Sequence, residues 1–342
     1  MTEASPTLGR KTLRRLLTTV RRFLSSEAYG RKAWLLLVCL VSLMLAITGL
    51  NVVNSYVGRW FFSAIEKRDS AGFMKFAWLY LGVFGCSTVV AVFFRFSEER
   101  LGLLWREWLT RRITTIYIDY GLYLHGPGVQ AISNPDQRMT EDVRQLTTTT
   151  LSFFLLVLNG TMTVLSFSGV LWMISPKLFL VALAYAALGS ALTIWLGRPL
   201  IRMNYAQSDF EANFRSELIR AREDGKELTG SIGTAGIKET LNARIDDLTG
   251  NFRRIIGINR NLGFFTTGYN YLIQLIPVVM IAPMFIEGNV EFGVIGQASM
   301  AFATLLGAFS LVITQFQAIS SYASVITRLG EFVEYAEREG YE

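Results

Sequence analysis

The sequence is poor in charged residues and in cysteine and histidine, the residue types that hold most transition metals in proteins. Only 18% of its 342 residues are charged and 51% are hydrophobic, whereas soluble proteins contain about 25% charged residues. The single histidine excludes a multi-histidine metal site, and we predict no metal site. Cys39 and Cys86 lie within apolar runs, where we expect buried thiols rather than a disulfide. The composition excludes a disordered chain and indicates a membrane protein.

Six long stretches of the chain contain no charged residue. Each is long enough for one crossing, because about 20 apolar residues span the hydrocarbon core of a bilayer as a helix. The fold class that we predict is therefore an all-α membrane protein with six transmembrane helices. The predicted spans are residues 33–58, 76–94, 145–176, 178–197, 261–286 and 292–327.

The distribution of basic residues predicts the orientation. If the N-terminus lies inside, 28 of the 33 Lys and Arg residues fall on the inner side. Cytoplasmic segments carry such an excess, so we predict both termini in the cytoplasm. The net charge of +6 then reflects membrane topology, and no nucleic-acid partner is expected.

Residues 1–32 are predicted to be a tail that contains an amphipathic elbow helix. The apolar run that follows is too long for a signal peptide and has no cleavage site after it, so we expect no cleavage. A basic amphipathic helix of this kind lies along the membrane surface, with lipid as its partner. Its predicted apolar face consists of Leu13, Leu16, Leu17, Val20, Phe23 and Leu24, with arginines opposite.

Two long segments, residues 95–144 and 198–260, are predicted to lie on the cytoplasmic side. Apolar residues at helical spacing from Leu101 to Tyr120 indicate that span two continues as a helix beyond the membrane. In the second segment we expect a helix to Glu227, a glycine-rich turn and a returning helix from Leu241. Long helical hairpins suit a membrane domain that a cytoplasmic device drives from a distance.

Four motifs resemble those of a known family. They are the run from Tyr56 to Ile65 with Arg68-Asp69; Trp105-Arg106-Glu107-Trp108-Leu109-Thr110; Asn134-Pro135-Asp136-Gln137-Arg138 with Glu141-Asp142-Val143; and Arg328-Leu329. In this order they resemble the membrane domain of ABC half-transporters of the peroxisomal ABCD type and their bacterial relatives, including the SbmA/BacA-like peptide transporters.

The resemblance implies an exporter-type fold with long cytoplasmic extensions, a domain-swapped homodimer and one central cavity. It also implies that both cytoplasmic loops couple to an ATPase domain. The residues matched in the first loop are Asn134, Pro135, Asp136, Gln137, Arg138, Glu141 and Asp142. The second loop departs from the family pattern in its extra glycines, and its candidates are Gly233, Gly236 and Glu239.

We expect no catalytic residues, no cofactor and no nucleotide-binding domain in this chain. The phosphate-binding string G-x-x-x-x-G-K-[ST] does not occur in it, and residues 328–342 are predicted to be a linker. ATP and Mg are therefore expected on a partner ATPase domain, in cis or in trans. The resemblance also allows a proton-driven peptide importer, for which the candidate residues are Glu98, Glu99, Glu287 and Glu291.

Uncharged polar residues within the spans are the candidates for lining the cavity. They are Asn51, Asn54, Asn159, Asn270, Gln274, Gln315 and Gln317. An amide-lined cavity predicts peptides or other large polar solutes as substrates, although amides also join helices to one another. Fatty acyl-CoA, which the peroxisomal relatives carry, is the alternative, but the spans supply no basic cluster for its phosphates. The sequence favours neither import nor export.

Overall fold

The computed structural model describes residues 10–119, 138–223, 230, 233–314 and 326, and these residues form helices with short connections and no strand. Six of the helices are long and apolar enough to cross a membrane, which confirms the predicted fold class. The helices are α1 (Arg10–Leu24), α2 (Gly30–Glu66), α3 (Ser70–Asp119), α4 (Val143–Ile174), α5 (Pro176–Glu223), α6 (Gly233–Ile286) and α7 (Gly293–Thr314). One π-helical turn, Arg138–Asp142, precedes α4.

The helices extend well beyond the uncharged runs. Helix α3 has 50 residues, which corresponds to about 75 Å at 1.5 Å per residue. It continues unbroken to Asp119, as the apolar periodicity predicts. The returning helix of the second long segment begins at Gly233 rather than at the predicted Leu241, so Gly236 lies in the first helical turn. The predicted glycine-rich turn therefore does not extend to Gly236, because Thr234, Ala235 and the residues that follow them are already helical.

The chain forms two compact units, residues 1–179 with 280–342 and residues 180–279. In the first unit, α2 and α3 form an antiparallel hairpin with a tight turn. Arg68 adopts a φ of 53° in this turn, and the Asp69 carboxylate accepts hydrogen bonds from the backbone N–H groups of Ala71 and Gly72 at 3.1 and 3.0 Å. Asp69 therefore caps α3, which gives the Arg68-Asp69 motif a structural role.

A cluster of buried apolar side chains joins α1, α2, α3 and α4 within the first unit. We call it the elbow cluster, and its members include Phe23, Ala33, Leu40, Leu101, Trp105, Trp108, Leu109, Ile113, Val143, Leu146, Leu151 and Leu155. Four of the residues predicted for the apolar face of α1 pack in or against this cluster: Leu16, Val20, Phe23 and Leu24. Leu17 does not, because 59% of it is exposed.

Cys39 and Cys86 are exposed free cysteines that form no disulfide, so the prediction of buried thiols was wrong. Apolar neighbours in a membrane helix often face lipid rather than the protein interior, and an apolar run alone does not distinguish the two. The helices accordingly expose large apolar side chains such as Leu35, at 72%, and Trp78, at 68%.

The second unit consists of the antiparallel parts of α5 and α6. The rings of Tyr185 and Tyr269 stack with their centroids 4.3 Å apart, and each hydroxyl donates to the other residue's backbone carbonyl. Further along, Asn251 on α6 donates to the Met203 carbonyl and to the Gln207 side chain on α5, at 3.0 and 2.9 Å. These contacts fix the register of the two helices.

Candidate coupling and translocation sites

The first predicted coupling segment is described from Arg138 onward. The side chains of Glu141 and Asp142 in its π-helical turn point in different directions. Glu141 accepts two hydrogen bonds from Arg144 at 2.7 and 2.8 Å and is exposed, whereas only 1% of Asp142 is exposed. The turn therefore presents one carboxylate outward and anchors itself with the other. Asn134, Pro135, Asp136 and Gln137 lie outside the described residues.

The elbow cluster packs against the residues that follow the π-helical turn of this predicted segment. Val143, which follows Asp142 directly, is fully buried in the cluster. The ring of Phe23 on α1 stacks on Trp105 at 5.6 Å and meets Trp108 at 5.4 Å. The start of α4 is thus packed in the same apolar cluster as the elbow helix.

The motif from Trp105 to Thr110 is where α1 docks on α3. Its two tryptophans hold Phe23, and Glu107 accepts a hydrogen bond from the Tyr29 hydroxyl at 3.2 Å. Arg111 donates to the same carboxylate at 3.0 Å. The sequence showed the motif, but its partner on α1 became evident only from the structure.

The second predicted coupling segment belongs to the second unit. Gly233 has a φ of 71° at the start of α6, a left-handed conformation that favours glycine. Gly236 is half-buried and Glu239 is exposed in the turns that follow. Gly233 therefore shapes the start of the helix, and the Glu239 side chain faces outward.

A second polar site fastens the end of α2 to the connection between α6 and α7. We call it the Glu291 cluster, and it consists of Arg59, Ser63, Lys67 and Glu291. The Glu291 carboxylate accepts from Lys67 at 3.1 Å, Arg59 at 3.4 Å and Ser63 at 3.5 Å. Two cations and a hydroxyl from the end of α2 and the residue after it thus converge on a carboxylate more than 200 residues away in sequence.

The electrostatics of the Glu291 cluster keep its carboxylate ionised. The hydrogen bond from Lys67 lowers the pKa of Glu291 below its ordinary value, and the charges of Lys67 and Arg59 act in the same direction. Partial burial opposes this effect but is outweighed. A carboxylate of this kind serves as a fixed ion-pair partner near neutral pH.

A close backbone contact extends the Glu291 cluster to α7. The N–H of Gly293 donates to the Ser63 hydroxyl at 3.1 Å, and a Cβ at Gly293 would collide with the carbonyl of Arg59. Arg59 and Ser63 belong to the motif that runs from Tyr56 to Ile65. That motif therefore supplies the surface on which the start of α7 packs.

The candidate cavity residues differ in their surroundings. Asn51 and Asn159 in the first unit and Asn270 and Gln274 in the second are exposed, with no hydrogen-bond partner among the residues that the structure describes. The Asn54 side-chain oxygen is buried and unpaired within that part of the chain. Gln315 and Gln317 lie outside the described residues.

Sequence reasoning missed Gln297 on α7. Only 3% of it is exposed, and it donates to the Ser55 hydroxyl on α2 at 3.4 Å. Its side-chain oxygen has no partner among the described residues. The available signal was an uncharged amide within a predicted span, the same signal that gave the other cavity candidates.

Two of the other three proton-linked candidates have local partners, and the third is half-buried. Glu99 pairs with Arg95 at 3.2 Å across one helical turn, and Glu287 accepts from the Asn289 side chain at 3.0 Å. Glu98 is half-buried on α3. None of these residues joins the Glu291 cluster.

Comparison with known proteins identifies the family. Residues 23–286 match the family described as ABC transporter transmembrane region 2. The chain belongs to this family. The match covers α2 to α6 in full, together with the end of α1.

Relatives support the same assignment. The chain is 40% identical over 301 residues to "ABC transporter D family member 2, chloroplastic" of Arabidopsis thaliana, covering 88% of this chain and 43% of the relative. It is 38% identical over 304 residues to an uncharacterized ABC transporter ATP-binding protein of Synechocystis, covering 88% of this chain and 46% of that protein. The inner membrane ABC transporter ATP-binding protein YddA of Escherichia coli is 22% identical over 323 residues, covering 89% and 57%.

The chain spans about half the length of the curated relatives it matches. The match to the ABCD-type relatives confirms the family resemblance carried by the motifs. This protein is therefore an ABC transporter membrane domain of the ABCD type, and an integral membrane protein.

Proposed function

We propose that this chain is the permease domain of an ATP-driven transporter for peptides or other large polar solutes. One observation carries the proposal: 88% of the chain aligns with only 46% of a protein named as an ABC transporter ATP-binding protein. We infer that the aligned part of that protein is its membrane part, and that its ATP-binding part lies in the remaining length. An ATPase domain, in cis or in trans, binds ATP and Mg and supplies the force.

The proposed assembly is a domain-swapped homodimer in a bacterial inner membrane, with both termini in the cytoplasm. The separation of spans four and five into a unit of their own supports the swap. This unit exposes large aromatic side chains, including Phe264 at 74% and Tyr271 at 71%. A second copy and the lipid together would cover them.

Coupling is proposed to run through the segments that contain residues 134–142 and 233–239. The exposed Glu141 and Glu239 are available for polar contacts with an ATPase surface. The buried Asp142 and Val143 transmit displacement to α4, because close-packed interiors resist deformation.

The substrate proposal rests on the exposed amides at membrane depth. Asn51, Asn159, Asn270 and Gln274 present both donors and acceptors that are free of partners within the described chain. Peptide groups match this chemistry, whereas a fatty acyl-CoA requires cations for its phosphates.

Energy from ATP is favoured over a proton gradient by the state of Glu291. A proton carrier must exchange its proton near the working pH, and the ion pairs of Glu291 oppose protonation there.

Reconstitution in liposomes tests the proposal. The chain is combined with its cognate ATPase domain, and uptake of a labelled peptide library is measured with ATP alone and with a pH gradient alone. We expect uptake with ATP and Mg only. Uptake driven by the pH gradient without ATP would replace this proposal with the proton-coupled importer.

A double variant tests the coupling site. Replacing Asp136 and Arg138 with alanine should leave ATP hydrolysis measurable but reduce transport per ATP by about tenfold, the scale of a lost coupling of roughly 1.4 kcal/mol. The matched control replaces Asp209 and Arg215, which are exposed on α5. An unchanged ratio in the first variant would contradict the placement of the contact.

A further inference from the structure

Helix α6 carries a polar stripe on the side that faces away from α5. Its residues recur every seven positions and therefore lie on one side of the helix: Arg253, Arg260, Thr267 and Gln274. We call these four residues, all of which are exposed, the α6 stripe. The residues that contact α5, such as Asn251 and Tyr269, lie on the opposite side of the helix.

The α6 stripe reaches into the membrane at Thr267 and Gln274, which lie within the predicted span of residues 261–286. An amide or hydroxyl that faced lipid would have no water to bond with, so exposed polar side chains at this depth border protein or a water-filled cavity. Gln274 has no hydrogen-bond partner among the residues that the structure describes. Its amide is therefore available to a solute in the proposed cavity.

Positive charge dominates the inner end of the α6 stripe. Residues 180–208 and 248–279, which contain most of spans four and five, include five arginines and no acidic residue. Arg260 immediately precedes the fifth span, and its guanidinium donates to the Asn261 side chain at 3.3 and 3.2 Å. It contacts no carboxylate in the part of the chain that the structure describes. A guanidinium with only a neutral partner is suited to bind an anion from outside the unit.

We propose that Arg260 binds a carboxylate of the transported solute, and that this carboxylate is the free C-terminus of a peptide. The planar guanidinium can donate two parallel hydrogen bonds to a carboxylate. Gln274 lies 14 residues further along α6, which corresponds to about 21 Å, and an extended peptide covers this distance with about six or seven residues. The α6 stripe therefore selects peptides of at least this length, with their C-terminus toward the cytoplasm. The inference rests on the proposed function, because it names the part of the solute that the cavity recognises.

The tendency of basic residues to lie in the cytoplasm also accounts for arginines at the inner ends of the spans. That tendency does not depend on the side of the helix. Arg254 is exposed like Arg253, but it lies about 100° further around the helix and off the α6 stripe. Topology alone therefore predicts that Arg254 and Arg260 are equivalent, whereas the proposal predicts that only Arg260 contacts the solute.

Peptide binding to the full chain in lipid nanodiscs, together with its cognate ATPase domain, tests the proposal. A fluorescent library of peptides of about eight residues is prepared in two forms, with a free C-terminus and with a C-terminal amide. We expect the free acids to bind about tenfold more tightly, the scale of one hydrogen-bonded charge. Arg260→Gln should abolish this preference, and Arg260→Lys should retain part of it, because lysine keeps the charge but not the paired donors. Free acids of about three residues should bind more weakly, because they cannot reach from Arg260 to Gln274.

The matched control is Arg254→Gln, which removes the same charge from the same helix and should keep the full preference for free acids. Equal binding of acids and amides to the wild type, a preference that survives in Arg260→Gln, or a loss that Arg254→Gln shares would overturn the inference and leave the proposed peptide transport intact. Binding of neither form would overturn both. A fatty acyl-CoA that binds through Arg260 where peptides do not would assign this arginine to phosphate instead.

Discussion

Replacing Gly293 with alanine should destabilise the protein, because there is no room for a side chain where α7 meets α2. A Cβ at this position would collide with the carbonyl carbon and oxygen of Arg59 and would lie 2.7 Å from the Ser63 hydroxyl. A backbone carbonyl cannot rotate away as a flexible side chain can. The start of α7 must therefore shift away from α2, which weakens the hydrogen bond from the Gly293 N–H to Ser63.

The magnitude follows from two opposing effects. Overpacking a close contact costs about 1–3 kcal/mol, and alanine offsets up to about 1 kcal/mol of this through its higher helix propensity. We expect a net loss of about 1–2 kcal/mol and a fall in the unfolding temperature of roughly 2–5 °C.

Gly296→Ala is the matched control, one turn further along α7. A Cβ at Gly296 would meet only the Phe62 ring, at an ordinary 3.8 Å, so this variant should be as stable as the wild type or slightly more stable. Both variants are compared by thermal unfolding in the same lipid nanodiscs. A Gly293→Ala variant that equals the wild type and the control would refute the close contact between α7 and Arg59.

Two further predictions concern polar contacts. Glu291→Gln should lower stability by up to about 1 kcal/mol near neutral pH, a small value because the ion pairs are partly solvated. Because the folded pKa of Glu291 is lowered, its contribution is complete above the unfolded value of about 4.5 and is lost as pH falls through the folded value, so wild-type and variant stabilities should converge in acid. A difference that grows in acid would contradict this sign. Asn251→Ala should cost about 1–2 kcal/mol, because it leaves the Met203 carbonyl and Gln207 without their donor, whereas Asn242→Ala, at an exposed position on the same helix, should cost little in the same unfolding assay.

The sequence predicts the helical architecture well, because lipid imposes a simple rule. Backbone groups in a bilayer must be satisfied within the helix, so long uncharged runs become helices regardless of their finer sequence. The same simplicity explains the errors. Apolar residues in such runs face either lipid or protein, and composition alone cannot distinguish Cys39, which is exposed, from Leu40 beside it, which is buried.

The candidate sites were only partly predictable, because they depend on partners that are remote in sequence. Glu291 stood out as a carboxylate beside a span, but its role as the partner of Arg59 and Lys67 required the packing of α7 on α2. The sequence likewise shows the two tryptophans of the motif from Trp105 to Thr110, but it does not show that Phe23 packs against them. Within a helix, in contrast, the Arg95–Glu99 pair follows directly from its spacing.

Side chains at both ends of α2 contact neighbouring elements of the first unit. At one end, Arg59 and Lys67 bind Glu291 beside the start of α7. At the other end, Tyr29 precedes α2 and donates to Glu107 on α3. Helix α2 is thus fastened to a neighbour at both ends, and we expect these contacts within the first unit to persist through a transport cycle.

A cross-link tests whether the contact between Lys67 and Glu291 persists through the transport cycle. The expected result rests on the proposed function, because it is measured as ATP-driven transport. Cysteines replace Lys67 and Glu291, whose side chains are partly exposed, in a chain whose two native cysteines are alanine, and a short bis-thiosulfonate reagent joins them. Because the link takes the place of an existing ion pair, ATP-driven transport should continue after cross-linking at the rate of the unlinked double variant. Transport that stops on cross-linking and returns on reduction would show that α2 and the start of α7 must separate in each cycle, and the Glu291 cluster would then be a gate rather than a fixed fastening.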